Sequence, residues 1–487
     1  MALTNMSPES VLTALEPRWS ALSVHHARRE AYYEGAQRLA AMGLALPPEM
    51  QKLQTVVNWP RVVVDAIAER QRVEGFRLAG EYQASERMWE LWQRNNLDEE
   101  ATPVHTEAMV QGRAWVTVDH NPDAPEYPVI MGESASMIAV DRDPRTRAIT
   151  AALRRWEETS PAGDTVEMAT VYLPDTTTYY ARNSGRWEEY EQWQHALGVV
   201  PVVPMVNRSR LPSRHDRLAW WGSSEMADVI PLTDAACRVL TNLQGAQELL
   251  AVPVRFVFGA QESDFVDQAT GRPLTTWEAY LGRMNALADP DAKVQQLPAA
   301  DLNNFTAVMQ SYAKLVSSVS GVPLRFFGVS SDANPASADA IRSDESRLVM
   351  RTNQRNTAFG GAWETAMRIA LRMAGDDSID ADTRLETVWA NPETPTFASK
   401  ASALAQLWQV GLPVPRSYAY DVLGFTPEQR AEADGQASAD PLTQLLTQGT
   451  GNAAGGIGSR NEPGGSTTRG GSDRASVADG GANAQPA

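Results

Sequence analysis

Three arginines, Arg347, Arg351 and Arg355, stand at successive i,i+4 positions. On a helix they form one row of fixed cations. Such a row can be a solvated face paired with Asp344 and Glu345, a ladder of contacts to carboxylates of a neighbouring subunit, or a set of contacts to DNA phosphates. Catalytic signatures are missing. The four lysines, Lys52, Lys293, Lys314 and Lys400, follow Gln, Ala, Ala and Ser. A phosphate-cradling Walker loop needs Gly before its Lys, so an ATP-hydrolysing motor is excluded. Neither HExxH nor GxSxG occurs. His25 and His26 are adjacent, and neighbours on a helix point about 100° apart. They cannot chelate one ion from a helix and read as solvated or partly packed. Asp267, Asp291 and Lys293 have the residue types of half a Mg²⁺-holding nuclease core. Yet Asp289-Pro290-Asp291 is turn chemistry ahead of a strand, and that reading is adopted. Cys237 is the lone cysteine. It excludes a disulfide framework and a CxxC site, fits a reducing compartment, and reads as a small buried hydrophobe. The tryptophans are too dispersed for a base-stacking platform and read as packing residues.

The elements that must position these residues follow from periodicity. Ser7-Pro8-Glu9 is a helix start, with Val11, Leu12, Leu15, Trp19 and Leu22 on one face. Helices are expected from Pro60 to Arg72 and from Ser85 to Asn95. Beyond Gly112 the period becomes two, predicting strands at 114–118, 149–156, 165–173 and 177–181, separated by turns such as Asn183-Ser184-Gly185. All six histidines lie in the first 215 residues, whose helix-then-sheet α+β domain ends near Arg210. A helix over 224–250 comes next, bent near its start by Pro231. Then come a strand at 252–258, a short helix near 275–287 and a strand at 293–297. A second helix over 300–320 carries Leu302, Phe305, Val308, Tyr312, Leu315 and Val319 at spacings of three and four. A Gly/Pro loop, 321–335, leads to a long helix over 337–374 with the arginine row in its first half. A strand at 384–390 and helical patterns at 396–410 and 426–433 complete the ordered part. Between Gly449 and Ala487 the large apolar residues are Ile457 and Val477. That segment is expected to be a disordered tail, and its Gly449–Gly458 cluster follows no strand and opens no helix.

Composition narrows the function. The 487 residues carry 43 basic and 60 acidic side chains, a formal charge of −17. A protein that grips nucleic acid by its phosphates needs a basic surface, so this one can surround DNA but not hold it tightly. No apolar run reaches the roughly 18 residues of a membrane span, and the N-terminus lacks the basic and apolar regions of a signal peptide.

The order of these elements, together with particular residues, resembles bacteriophage portal proteins of long-tailed phages infecting actinobacteria. The residues that carry the resemblance are Val57-Asn58-Trp59-Pro60-Arg61-Val62-Val63-Val64-Asp65 with Val73-Glu74-Gly75-Phe76-Arg77, and Pro204-Met205-Val206-Asn207-Arg208. Gly222-Ser223-Ser224-Glu225 with Val229-Ile230-Pro231-Leu232 adds to them. So does Gly321-Val322-Pro323-Leu324-Arg325-Phe326-Phe327-Gly328 ahead of Ser337-Ala338-Asp339-Ala340-Ile341-Arg342. The match spans about residues 5 to 435. No single motif is chemically diagnostic; order and spacing are.

The resemblance implies an α+β wing at 1–223 with a further wing strand near Arg384, a stem of helices 224–250 and 300–320, and a clip at 251–299. It implies a tunnel loop at 321–336, a long helix and wing strand over 337–394, and a crown at 395–448, with the tail at 449–487. It further implies a homo-oligomeric ring of about twelve subunits at one capsid vertex. Double-stranded DNA passes through that ring without sequence recognition. The terminase large subunit, head-completion or adaptor proteins, and the major capsid and scaffold proteins are the implied partners. The location is the virion, after assembly in the host cytoplasm; no membrane and no cofactor is implied. Val329, Ser330, Ser331, Asp332, Ala333 and Asn334 then face DNA, Arg347, Arg351 and Arg355 meet a neighbouring subunit, and Glu262, Asp264 and Asp267 belong to the docking surface of the clip. Two other classes remain on sequence grounds: another virion head or connector protein, and a soluble intracellular enzyme with an unrecognised carboxylate site. The mass of the particle separates a ring from an ordinary enzyme.

Overall fold

The computed structural model describes residues 6–37, 55–81, 83–159, 163–215, 219–250, 255–258, 293–296, 303–328, 338–376, 378–393, 397–425, 429–430 and 433. The chain divides into two units, 1–394 and 395–487. In the first, α1 (Pro8–Glu34), α2 (Trp59–Ala68), β1 (Val73–Leu78), α3 (Glu86–Arg94) and α4 (Leu97–Gln111) precede a strand-rich stretch. That stretch holds β2 (Arg113–Asp119), β3 (Val129–Glu133), β4 (Ile138–Arg142), β5 (Ile149–Thr159), β6 (Thr165–Tyr172), β7 (Thr176–Asn183), β8 (Arg186–Gln194) and β9 (Val202–Val206). Then follow α5 (Ile230–Leu250), β10 (Arg255–Phe258), β11 (Lys293–Gln296), α6 (Asn303–Ser320), α7 (Ala338–Met373) and β12 (Leu385–Trp389). The second unit holds α8 (Phe397–Gln409) and α9 (Arg416–Leu423).

The α+β reading holds, and local chemistry explains most starts and stops. Ser7 caps α1 by accepting from the Ser10 N–H at 3.4 Å, with Pro8 in the first turn. Ser85 does the same for α3 through the Met88 N–H. Val11, Leu12 and Leu15 of α1 pack on Leu153, Ala169, Val171 and Tyr180 of a five-stranded antiparallel sheet in the order β4-β5-β6-β7-β8. A second sheet, β3-β2-β9, lies beside the main core. That core gathers α2, α3, α4 and α7 around Phe76, Trp92 and Trp363, with ring centroids 5.3 and 4.9 Å apart in sequence along that chain of contacts. β1 and β12 pair antiparallel, Phe76 opposite Thr387, and tie the start of the chain to the residues after α7.

Several elements differ from expectation. α2 ends at Ala68, and the residues after it turn into β1, a strand stabilised by a partner more than 300 positions away. α4 was not foreseen. Its last turn is buried on several sides, through Met109, Val110 and Gln111, and the stripe leading to it is interrupted by the polar His105, so no clean apolar pattern marks it. β3, β4, β8 and β9 were not foreseen either. β8 is polar, and pairing with β7 across the Ser184-Gly185 turn, both at positive φ, makes it a strand. α5 begins at Ile230, so Pro231 sits in its first turn, where no N–H is needed, and does not bend it. α9 lies before the expected 426–433 helix. Cys237 is buried, as read, and its sulfur accepts from the Val57 N–H at 3.3 Å. The short helix near 275–287, the turn at 289–291, and the tail lie outside the described residues.

Candidate functional site: the junction beneath the long helix

Several of the quoted motifs, dispersed along the sequence, meet in one place. After β9 the chain runs through Asn207 and Arg208, and it returns through Gly222-Ser223-Ser224-Glu225 just before α5. The two passes lock together: the Ser223 N–H donates to the Asn207 carbonyl (3.0 Å), and the Asn207 N–H to the Gly112 carbonyl (2.9 Å). Gly222 has φ +84°, and a Cβ there would stand 2.3 Å from the carbonyl oxygens of both Asn207 and Gly112. Only glycine fits this crossing. Arg208 donates to the Ser224 carbonyl and pairs with Asp228 at 2.7 Å. The Glu225 N–H then donates to the Met109 carbonyl at the end of α4 (2.8 Å), which aims its carboxylate inward.

That carboxylate is fully buried, with 0% of its side chain exposed. Arg355 of α7 reaches it with Nε at 3.1 Å and Nη2 at 3.0 and 3.3 Å, a forked arrangement. Arg351 adds Nη1 at 3.4 Å, and Asn207 Nδ2 donates at 3.2 Å. The rest of the row turns to α6. Arg351 Nη2 donates to the Val319 carbonyl (2.8 Å) and Arg347 Nη1 to the Ser318 carbonyl (2.6 Å). These are C-terminal carbonyls of α6, orphaned by the helix end and favourable for cations. Gly321, at φ +72°, closes that helix against the Arg347 side chain.

Within the subunit Arg351 and Arg355 form an internal clamp on Glu225, while Arg347 stays exposed. The carboxylate facing Arg355 belongs to the same chain. Arg355 is 7% exposed, so a neighbouring subunit cannot use it. Asp344 and Glu345 pair elsewhere among the described residues. Both pair with Arg325 of the 321–328 segment, and Glu345 also lies 3.6 Å from Arg70. Arg70 in turn stacks over Phe326, and Trp59 meets Phe327 edge-on at 6.1 Å. Around α5, Thr55 Oγ1 donates to Gln244, Tyr32 to Asp234, and Asn58 Nδ2 to the Tyr33 carbonyl. Glu225 escaped sequence reasoning. The signal was a glycine followed two residues later by Ser-Glu ahead of a helix, while its arginine partners lie about 130 positions away.

Val329 to Asn334 lie outside the described residues, as do Glu262, Asp264 and Asp267. His26 is buried on α1. Among the described residues no group of three or more His, Cys, Asp or Glu could hold a metal ion, and no helix is long and apolar enough to cross a membrane.

The junction brings Asn207-Arg208, Gly222 to Glu225 and the 321–328 segment together around the long helix, and the sequence comparisons show the family of the chain. The model of the family described as phage portal protein, SPP1 Gp6-like, matches residues 26–435. The chain belongs to this family of phage portal proteins. The portal proteins of Mycobacterium phages L5 and D29 are each 40% identical to it, over 417 and 413 residues, covering 83% and 82% of this chain and 83% of either relative. Solved structures with similar chains include the neck of an empty gene transfer agent particle (14% identity, TM-score 0.44) and the virion of the native particle (15%, TM-score 0.42). Each covers 82% of this chain and 99% of the solved one. Phage portal proteins are virion components, and the resemblance read from the sequence is this family.

Proposed function

We propose that this portal-family chain is the subunit of a closed ring of about twelve copies at one capsid vertex. Double-stranded DNA enters and leaves through its centre. The role is structural: a conduit, and a platform for the terminase large subunit and the head-completion proteins, with capsid and scaffold proteins around it. The observation that carries this reading is the family match, which extends from residue 26, within α1, to residue 435, beyond α9. The formal charge of −17 supports it, since a wall that attracts few phosphates lets a duplex slide. On this reading 1–223 is the wing, α5 and α6 the stem, 251–299 the clip, 321–336 the tunnel loop and 395–448 the crown. Glu262, Asp264 and Asp267 belong to the docking surface of the clip.

The ring needs an interface, and the arginine row is engaged inside the subunit. Val308, Leu315 and Val319 stand on one side of α6 at spacings of seven and four. They are 42%, 50% and 38% exposed, and Met350 on α7 is 64% exposed. Apolar positions this open in one subunit suit burial by a neighbouring copy. Light scattering on the V308D/L315D variant tests the reading. A fall from ring mass to monomer mass with unchanged circular dichroism is expected. A ring of unchanged mass would remove α6 from the interface, and a wild-type chain that never exceeds a dimer would remove the portal ring itself.

A further inference from the structure

The β4–β8 sheet has two faces, each covered over its inner rows. α1 packs on the face that carries Leu153, Val171 and Tyr180. On the opposite face the Ala152–Tyr172–Thr177 row lies against the β3-β2-β9 sheet. There Asp119 accepts from Tyr172 (3.4 Å) and Tyr179 (2.5 Å), and Arg154 pairs with Glu133 at 2.6 Å. Two rows further out no described residue outside the sheet is seen to close it. Trp156, Met168 and Ala181 stand side by side in register on β5, β6 and β7, each half-buried, with Glu188 opposite Ala181 on β8.

Three exposed carboxylates surround this apolar row: Glu158 on β5, and Glu188 and Glu191 on β8. Tyr190 completes it. It sits where the β7–β8 register slips, is 54% exposed, and leans toward Tyr179 with ring centroids 6.1 Å apart. Burial, then the negative charges of Glu191, Glu158 and Asp119, raise its pKa. Among the described residues none of the three carboxylates has a basic partner. Arg154, the cation of these rows, is engaged by Glu133 and stacked over Trp156 at 4.3 Å. Arg186 stands beyond them at the hairpin tip.

We propose that this face is a docking surface for a basic amphipathic segment of another protein. Its apolar side chains would cover Trp156, Met168 and Tyr190, while its Lys or Arg groups meet Glu158, Glu188 and Glu191. Charge complementarity chooses the occupant. DNA is repelled by the three carboxylates, and a second copy presenting the same face would bring like charges together. The apolar row gives the segment a reason to stay once attraction has brought it in.

The test uses the full-length protein and a fluorescein-labelled peptide of alternating Leu and Lys blocks that forms an amphipathic helix. Fluorescence anisotropy measures its affinity. The triple variant E158K/E188K/E191K is expected to bind it about tenfold or more weakly, and the loss should shrink as salt is raised. A control, E81K/E99K/E100K, makes the same change of net charge at exposed positions outside this sheet and should bind as wild type does. Equal loss in both variants would reduce the effect to bulk attraction and overturn the proposal. So would unchanged binding in the triple variant. A triple variant that alters only the self-association mass would assign the face to a second copy, also against the proposal. All the substituted side chains are exposed, so the fold should survive. If the triple variant does not fold, the single changes E158Q and Y190S must each weaken binding for the proposal to stand.

Discussion

Glu225 shows how much one buried charge can hold. Its carboxylate receives Arg351, Arg355 and Asn207, and its backbone is fixed by the end of α4. Removing one partner of such a pair leaves an uncompensated buried charge, which costs about 3–5 kcal/mol. We expect Glu225→Gln to lower the unfolding free energy read from urea titration by about that amount, while Arg347→Ala, at an exposed position, costs under about 1 kcal/mol. Near-equal costs would show that the buried pair does not carry the junction. Reversing Arg351 and Arg355 would set new carboxylates against Glu225 and break the subunit itself, so that variant cannot report on ring contacts. His105 offers a second residue-scale test. It is fully buried, accepts from Trp363 Nε1 at 2.9 Å, and burial lowers its pKa from 6.5 to about 3. The unfolded chain takes up the proton below pH 6.5 and the folded chain does not until about 3. The stability it contributes is therefore complete above pH 6.5 and is lost as pH falls toward 3, at up to about 1.4 kcal/mol per unit. Urea unfolding at pH 7.5 and 5 should show a steeper loss in wild type than in His105→Gln, which keeps an acceptor for Trp363. Parallel slopes would mean that His105 titrates normally.

At the scale of elements, α7 organises the fold. Its first half clamps the end of α6 and the lead into α5, and its second half, through Phe359, Trp363 and Met367, enters the main core. The 321–328 segment is pinned on both sides, by Arg325 to Asp344 and Glu345 and by Phe327 to Trp59. The sequence from Val329 to Ser337 follows this pinned segment. On the portal reading it lines the tunnel, and its sequence, small side chains with Asp332 and no base, suits a wall that does not capture phosphate. Replacing Ser330, Ser331 and Asp332 with Lys should slow or stall DNA translocation in a packaging assay, and added salt should relieve the effect. Translocation at normal speed would place this connection away from the DNA.

For the whole molecule, the two units differ in what they demand of a neighbour. The first has a large shared core. The second leaves Trp408, Val410, Leu412 and Tyr418 exposed. The segment 449–487 has too few apolar side chains to join either. Deleting it should leave the melting temperature and the particle mass unchanged. A large drop in melting temperature would show that the segment packs after all.

Sequence alone determined what depends on near neighbours. The cap at Ser7, the register of one apolar face along α1, the turn at Ser184-Gly185 and the length of α7 are set within a few residues, and all were legible. So was the family, because its motifs keep their order along the chain. Tertiary structure decided what depends on distant partners. β1 is a strand because β12 pairs with it, α4 is a helix buried on more than one side, and β8 is held by β7. The arginine row looked like a surface awaiting a partner, since i,i+4 spacing fixes which side chains share a face but not what that face meets. Its partner, Glu225, is brought within 3.0 Å only when Gly222 lets two backbone passes cross. A long-range ion pair leaves no local period in the sequence, and that is why folding had to place it.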